Sequence, residues 1–309
     1  MRLIALGVLP LLALAHCDFT SNSHAAGDST FRPDSVAHSS WTHSIVDGDT
    51  LQLDLRIPHP QEAGIPGVIF LHGGGFGAGQ RNRGPHVSLL DSLAASGIAS
   101  ASISYRLTMA GKGFGCSIPT GEKQRAVESA VEDLMAAHGW LDASPLPLPE
   151  QWIVMGSSAG AEAAMWAGYG QASSPFIGVV SFAGAISTTV PMPHNPAPFF
   201  GVHGLCDPIV PCGDALHRQC APGTPGAWAL CGGQCWAERM NLNEHAAMFI
   251  GVCSGDHSVC NSGMLSPKIQ ELLIPWLRSA ETRRASSTHF FSEEGSFQAL
   301  PAPCPSPCQ

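Results

Sequence analysis

Short apolar runs alternate with segments of helical spacing over most of the chain. Thr50 to Ile57 (TLQLDLRI) alternates apolar and polar residues, the period-two signature of a strand with one face buried. Gly67 to His72 (GVIFLH), Trp152 to Met155, Phe176 to Phe182, Phe199 to His203 and Ala246 to Val252 are continuously apolar, and Ile98 to Tyr105 is a further strand. Between them, Val87 to Ala95 reads as a helix. Glu122 to Trp140 places Ala126, Val127, Ala130, Val131, Leu134 and Ala137 on one helical face. In this reading Glu128, Glu132 and Asp133 form its solvated side. Met264 to Leu277 closes the series as a helix that frays or kinks at Pro275. Non-alternating strands interleaved with helices predict an α/β fold, a mostly parallel sheet covered on both faces.

The ends read differently. An apolar run from Leu3 to Ala15 follows Arg2 and is too short to cross a bilayer, so residues 1–15 read as a signal peptide. Cys17 opens a second reading, a lipid-anchored cysteine, against which the bulky His16 argues. Residues 16–44 lack periodicity and read as a linker or loose arm. Residues 45–280 would be the folded domain, and 281–309 an irregular tail pinned by Cys304 and Cys308.

Composition narrows the classes. Charged residues make up 13% against 44% hydrophobic, which excludes a largely disordered chain. The net charge is −9 and the only adjacent basic pair is Arg283–Arg284, so no nucleic-acid partner is expected. Eleven cysteines, most of them between Cys206 and Cys308, fit disulfides in an oxidising compartment, secreted or periplasmic. Cys231 and Cys235 lack a second pair at zinc-finger spacing, so no metal is expected. The odd count leaves one thiol over, with Cys17 the natural candidate. At least one bridge is expected to tie the Cys206–Cys260 region together.

Two motifs carry chemistry. Gly156-Ser157-Ser158-Ala159-Gly160 is a G-x-S-x-G pentapeptide between an apparent strand, WIVM, and a helix-forming run, AGAEAAMW. Such a turn projects Ser158 as a nucleophile, and small residues two places on either side avoid clashes. Upstream, His72-Gly73-Gly74-Gly75-Phe76-Gly77 supplies backbone amides able to approach an oxyanion. It lacks the lysine and spacing of a phosphate-binding loop.

These motifs, with SISYRL at 102–107, HGLCDPIVP at 203–211 and SGDHS at 254–258, resemble the carboxylesterase and lipase branch of the α/β-hydrolase family, especially its secreted carbohydrate esterases. The likeness covers roughly residues 45 to 280. The Cys-rich stretch between the acid and histidine loops, Cys212 to Cys235, and the tail depart from it. The resemblance implies a triad of Ser158, Asp207 and His257. Asp207 and His257 each lie just beyond an apolar strand, at the edge where Ser158 also sits; Asp214 competes as a neighbour of Asp207, Asp256 adjoins His257 too closely to face the same imidazole, and His245 precedes its strand. His203 would be a structural residue beside the acid loop. The implied oxyanion hole is the amides of Gly74, Gly75 and Ala159.

The expected activity is ester hydrolysis without a cofactor, on a small-molecule or polysaccharide-linked ester. Two other classes remain open. A prolyl-oligopeptidase-like peptidase would want a large accessory domain, and a non-catalytic binding module would usually have lost a triad residue. Gly184 to Pro198 is proline-rich and lacks a lid helix, which favours acetyl to butyryl esters. Trp228 and Trp236 of the Cys-rich stretch are expected to line the cleft.

Overall fold

The computed structural model describes residues 32–292, the backbone of 298–300, and Cys304 and Cys308. The signal-peptide reading of residues 1–15 and the questions about Cys17 therefore lie outside the described residues.

Thirteen strands and seven helices follow in chain order: β1 (Ser35–Val46), β2 (Asp49–His59), β3 (Gly67–Leu71), α1 (Pro85–Ala95), β4 (Ser100–Ile103), α2 (Thr120–Ala143), β5 (Trp152–Ser157), α3 (Ala159–Tyr169), β6 (Val179–Phe182), β7 (Ala185–Ser187), β8 (Phe199–Gly204), β9 (Asp214–Leu216), β10 (Ala229–Gly232), α4 (Gly233–Leu242), β11 (Ala247–Val252), α5 (Val259–Leu265), α6 (Pro267–Arg278), α7 (Ala280–Arg283), β12 (Ser287–Ser292) and β13 (Gln298–Leu300). Ten strands form the main sheet in the order β1-β2-β4-β3-β5-β6-β8-β11-β12-β13, and β7-β10-β9 form a small second sheet. From β4 to β12 every pairing in the main sheet is parallel, while β1, β2 and β13 run antiparallel to their neighbours.

The continuous apolar runs follow from burial on both sheet faces. Along β3, Val68 and Phe70 face α1, α5 and α6 with Leu89, Leu93, Met264 and Trp276. Ile69 and Leu71 face the other way, joining Val127, Leu134, Met165 and Trp236 from α2, α3 and α4. Burying a residue of this size contributes about 1.5–3 kcal/mol, so two layers of them outweigh the loss of alternation as a register signal.

Four expectations are corrected. Residues 35–44 are not loose: they belong to β1, which pairs with β2 over Ser35–Val46. This edge strand is mostly exposed. Backbone pairing holds it, so its side chains carry no apolar period. The tail is likewise not all irregular, because β12 continues the parallel sheet beside β11 and β13 returns along it. The Met264–Leu277 segment is two helices broken at Ser266, whose ψ of 118° is what a residue before proline adopts; Pro275 sits inside α6. Asp133 is 1% exposed rather than solvated. It accepts from the Arg106 backbone amide at 2.7 Å and from Arg106 Nε at 2.9 Å, fastening α2 to the loop after β4.

Disulfides organise the loops above the sheet. Cys116 joins Cys220, and Cys231 joins Cys235. The loops after β8 and β11 are not bridged to each other; each is bridged to the tail, by Cys206–Cys308 and Cys253–Cys304. Two buried thiols, Cys212 and Cys260, are unpaired among the described residues, so Cys17 is not the sole leftover. The Cys116–Cys220 bridge closes a span of 104 residues. Replacing both partners by serine should lower the unfolding free energy by about 2–5 kcal/mol. Chemical denaturation compares the two proteins, and an unchanged midpoint would show that this bridge leaves the unfolded chain unconstrained.

Candidate active site

Ser158 sits between β5 and α3 at φ 51° and ψ −122°, a conformation that a side-chain-bearing residue adopts only when its surroundings impose it. They do so here. The Ser158 amide donates to the Phe182 carbonyl at 2.8 Å, and its own carbonyl accepts from Ala161 and Glu162 as the first turn of α3. A Cβ at Gly156 would collide with the Gly160 carbonyl, and one at Gly160 with the Leu71 carbonyl. The two glycines therefore let the helix start close against β3, and the hydroxyl is left projecting from the turn.

The other two sequence-derived residues meet it. His257, five residues beyond β11, places Nε2 2.8 Å from Ser158 Oγ. Its Nδ1 lies 2.6 Å from Asp207 Oδ2. A proton on Nδ1, held by the carboxylate, leaves Nε2 as the acceptor for the serine hydroxyl. Asp207 Oδ1 accepts the amides of Ile209 at 2.8 Å and Val210 at 3.0 Å. His203 Nδ1 accepts the Gly233 amide at 3.4 Å, so its Nε2 donates, to Val210 O at 3.0 Å and toward Asp207 Oδ2 at 3.3 Å. Burial alone would raise the Asp207 carboxyl, but hydrogen bonds from His203 and His257 outweigh it and hold the group well below the usual range. Asp207 is thus a fixed, ionised acceptor.

The competing residues are elsewhere. Asp214 is exposed in β9, Asp256 caps the Ser258 amide at 2.8 Å, and His245 precedes β11. Trp228 and Trp236 are buried and do not line the cleft, contrary to expectation. Trp236 packs against Tyr169 instead, ring centroids 4.9 Å apart and tilted by 40°, because it belongs to α4 under the sheet.

Gly74, Gly75 and Ala159 line the same cleft as Ser158 and His257, a cavity of about 580 Å³. Among the described residues, their amides donate to no protein acceptor. Gly74 and Gly75 hold φ of 122° and 61°, and a Cβ at Gly74 would strike Ala78 O. Tyr105 secures the loop from beneath, donating to His72 O at 2.6 Å and stacking on the His72 ring at 4.4 Å. Burial pulls the His72 imidazole down to about 4, so it is neutral there. Among the described residues no cluster of His, Cys, Asp and Glu side chains could hold a metal ion.

Comparison with known proteins fits this geometry. Residues 53–188 match the family model BD-FAE. Esterase 2 of the planctomycete Thermogutta terrifontis superposes with a TM-score of 0.56 at 14% identity, covering 79% of this chain and 94% of that one. The chain has the α/β-hydrolase fold. The same enzyme phosphorylated by paraoxon gives 0.56 at 16% identity over 77% and 90% of the two chains, and its butyrate-bound form 0.56 at 14% over 79% and 96%. No curated protein matches the chain in sequence.

The cleft and the core behind it also hold polar residues that sequence reasoning missed. Glu162 follows Ser158 by one helical turn and is 3% exposed, with Oε1 unpartnered. Burial pushes its carboxyl up to about 8, against the opposing pull of Lys123 and Arg218. Lys123 is fully buried, its Nζ 3.0 Å from His217 Nδ1 and 3.0 Å from the Gly226 carbonyl. Burial, then the Lys123 and Arg218 charges, lower His217 to about 3. A lone glutamate in the apolar run AGAEAAMW was a readable signal. Lys123 and His217 stand 94 residues apart and offered none.

Glu162 carries a consequence for stability. Its carboxyl keeps its proton in the folded chain up to about 8, whereas the unfolded chain releases it at the ordinary glutamate value of 4.5. The group's contribution is fully present below the lower value and is lost as pH rises toward the upper one. Glu162→Gln, isosteric with the protonated acid, should match the parent's Tm near pH 4 and exceed it by roughly 3 °C or more at pH 8. Thermal unfolding across that range decides it, and parallel Tm profiles would mean that Glu162 is ionised in the fold.

Proposed function

We propose that this protein is a serine esterase that hydrolyses carboxylic esters through an acyl-serine intermediate. The single observation behind this reading is the continuous chain of contacts from Asp207 through His257 to Ser158, ending on a cleft walled by unpartnered amides. His257 Nε2 takes the Ser158 proton as Oγ attacks the ester carbonyl. Asp207 keeps the imidazole in the required tautomer and offsets the positive charge that develops. The amides of Gly74, Gly75 and Ala159 stabilise the oxyanion, each worth about 10²–10³ in turnover. The protonated imidazole then gives its proton to the leaving alcohol, and water attacks the acyl-enzyme by the same route.

The esterase fold and the BD-FAE match support this class over a peptidase or a non-catalytic module. We further propose short acyl groups, acetyl to butyryl. Residues 188–198 form no helix, and β7 before them joins the small sheet, so nothing there resembles a mobile apolar lid. The neighbour's butyrate-bound form is compatible with that choice. Secretion into an oxidising compartment fits the four disulfides.

A fluorophosphonate probe should label Ser158, and Ser158→Ala should abolish labelling. Asp207→Asn should retain the fold and lose about 10⁴ in kcat. On p-nitrophenyl acetate, butyrate and palmitate, kcat/KM should fall sharply at palmitate. Absence of labelling would remove the esterase reading, and a preference for palmitate would remove the short-acyl one.

A further inference from the structure

We propose that Arg218, His217 and Glu162 form a subsite for a free carboxylate carried by the ester substrate, an inference that rests on the esterase reading. The three side chains line the cleft that holds Ser158 and His257. They reach it from separate places: Glu162 from α3, and the other two from the short 3₁₀ turn His217–Gln219 inside the Cys-rich segment. Phe114 bridges this wall to the glycine loop, 5.3 Å from the His217 ring and in contact range of Gly75.

Each of the three side chains can present a donor for which no described residue supplies an acceptor, and Arg218 is exposed. The Arg218 guanidinium has no ion pair or hydrogen bond among the described residues. Arg218 lines the cleft beside Glu162 and His217, and its charge is felt by both. Because Lys123 Nζ donates to His217 Nδ1, the imidazole proton belongs on Nε2, for which no described residue is an acceptor. Glu162 is protonated at neutral pH, and its Oε1 lacks a partner. The nearby carboxylate cannot serve, since Asp207 already faces the Ile209 and Val210 amides, His203 and His257.

A purely aliphatic acyl or alkyl group on this wall would lie against the Arg218 guanidinium, the His217 Nε2–H and the Glu162 carboxyl without offering any of them an acceptor, which is unfavourable. A carboxylate supplies that acceptor and meets the cationic Arg218, in a chain whose net charge is −9. The attraction is therefore local, not a general field. The wall is also held in place. Cys220, directly after the turn, is bridged to Cys116 beside the Phe114 loop, and Arg218 itself holds φ of 54°.

Two substrate pairs locate the carboxylate. On the acyl side, the p-nitrophenyl monoester of glutaric acid is compared with p-nitrophenyl butyrate. On the alcohol side, an acetylated glucuronic acid is compared with the acetylated neutral sugar. In one pair the wild-type ratio of kcat/KM, anionic over neutral, should exceed that of Arg218→Gln by at least about tenfold, the usual loss with a charge-assisted donor. Using a ratio removes any general effect of the substitution on turnover. A second measurement needs no turnover: Ser158→Ala is titrated calorimetrically with monomethyl glutarate and with glucuronate. One of them should bind, and adding Arg218→Gln should weaken it to the same degree. Ester hydrolysis with equal ratios in both proteins and no Arg218-dependent binding would overturn the subsite and leave the esterase intact. Arg218-dependent binding without hydrolysis of any ester would do the reverse.

Discussion

The turn at Ser158 holds a non-glycine residue at φ 51° with its hydroxyl lifted off the carboxyl edge of β5, and much of the molecule follows from keeping it there. The turn is tolerated because α3 lies almost against β3, which demands glycine at 156 and 160 and buries nearly every residue of the helix. That in turn fixes which strands can neighbour β5. The result is a parallel sheet whose central strands are apolar on both faces. A rigid turn alone performs no chemistry, since Ser158 Oγ needs a base at hydrogen-bond distance. The base and acid come from loops after β11 and β8, adjacent strands on the same side of β5.

Those loops are the parts a parallel sheet leaves least constrained, and they are restrained here in two ways. Asp207 is gripped by its own loop amides and by His203, whose ring is anchored in turn by the Gly233 amide. Outside this polar knot, the disulfides Cys206–Cys308 and Cys253–Cys304 tie each loop to a cysteine of the tail. Neither sulfur bridge touches the reacting groups. Their effect is to remove alternative loop conformations, so that the short contacts at His257 persist.

The cleft wall opposite this knot is of a different character. A protonated glutamate, a neutral histidine and a buried lysine would each be unfavourable alone in a protein interior. Together they are tolerable because Lys123 has two acceptors, His217 Nδ1 and the Gly226 carbonyl. Glu162 Oε1 has no partner among the described residues, and Glu162 and His217 both line the cleft.

The chain by itself determined the sheet strands of the middle region, the G-x-S-x-G turn and the glycine loop, because apolar runs and glycines act locally and leave marks within ten residues. It also carried the acid and the base, since Asp207 and His257 each follow an apolar strand closely. It could not show β1 or β12, exposed edge elements held by backbone hydrogen bonds to which side-chain pattern is blind. Nor could it show that Asp133 is buried beneath Arg106, or that Trp236 faces the core and not the cleft. The pairing of cysteines and the meeting of Lys123 with His217 were decided by tertiary structure alone. Contacts across about a hundred residues depend on how strands and loops are brought together in space, and no local periodicity records that.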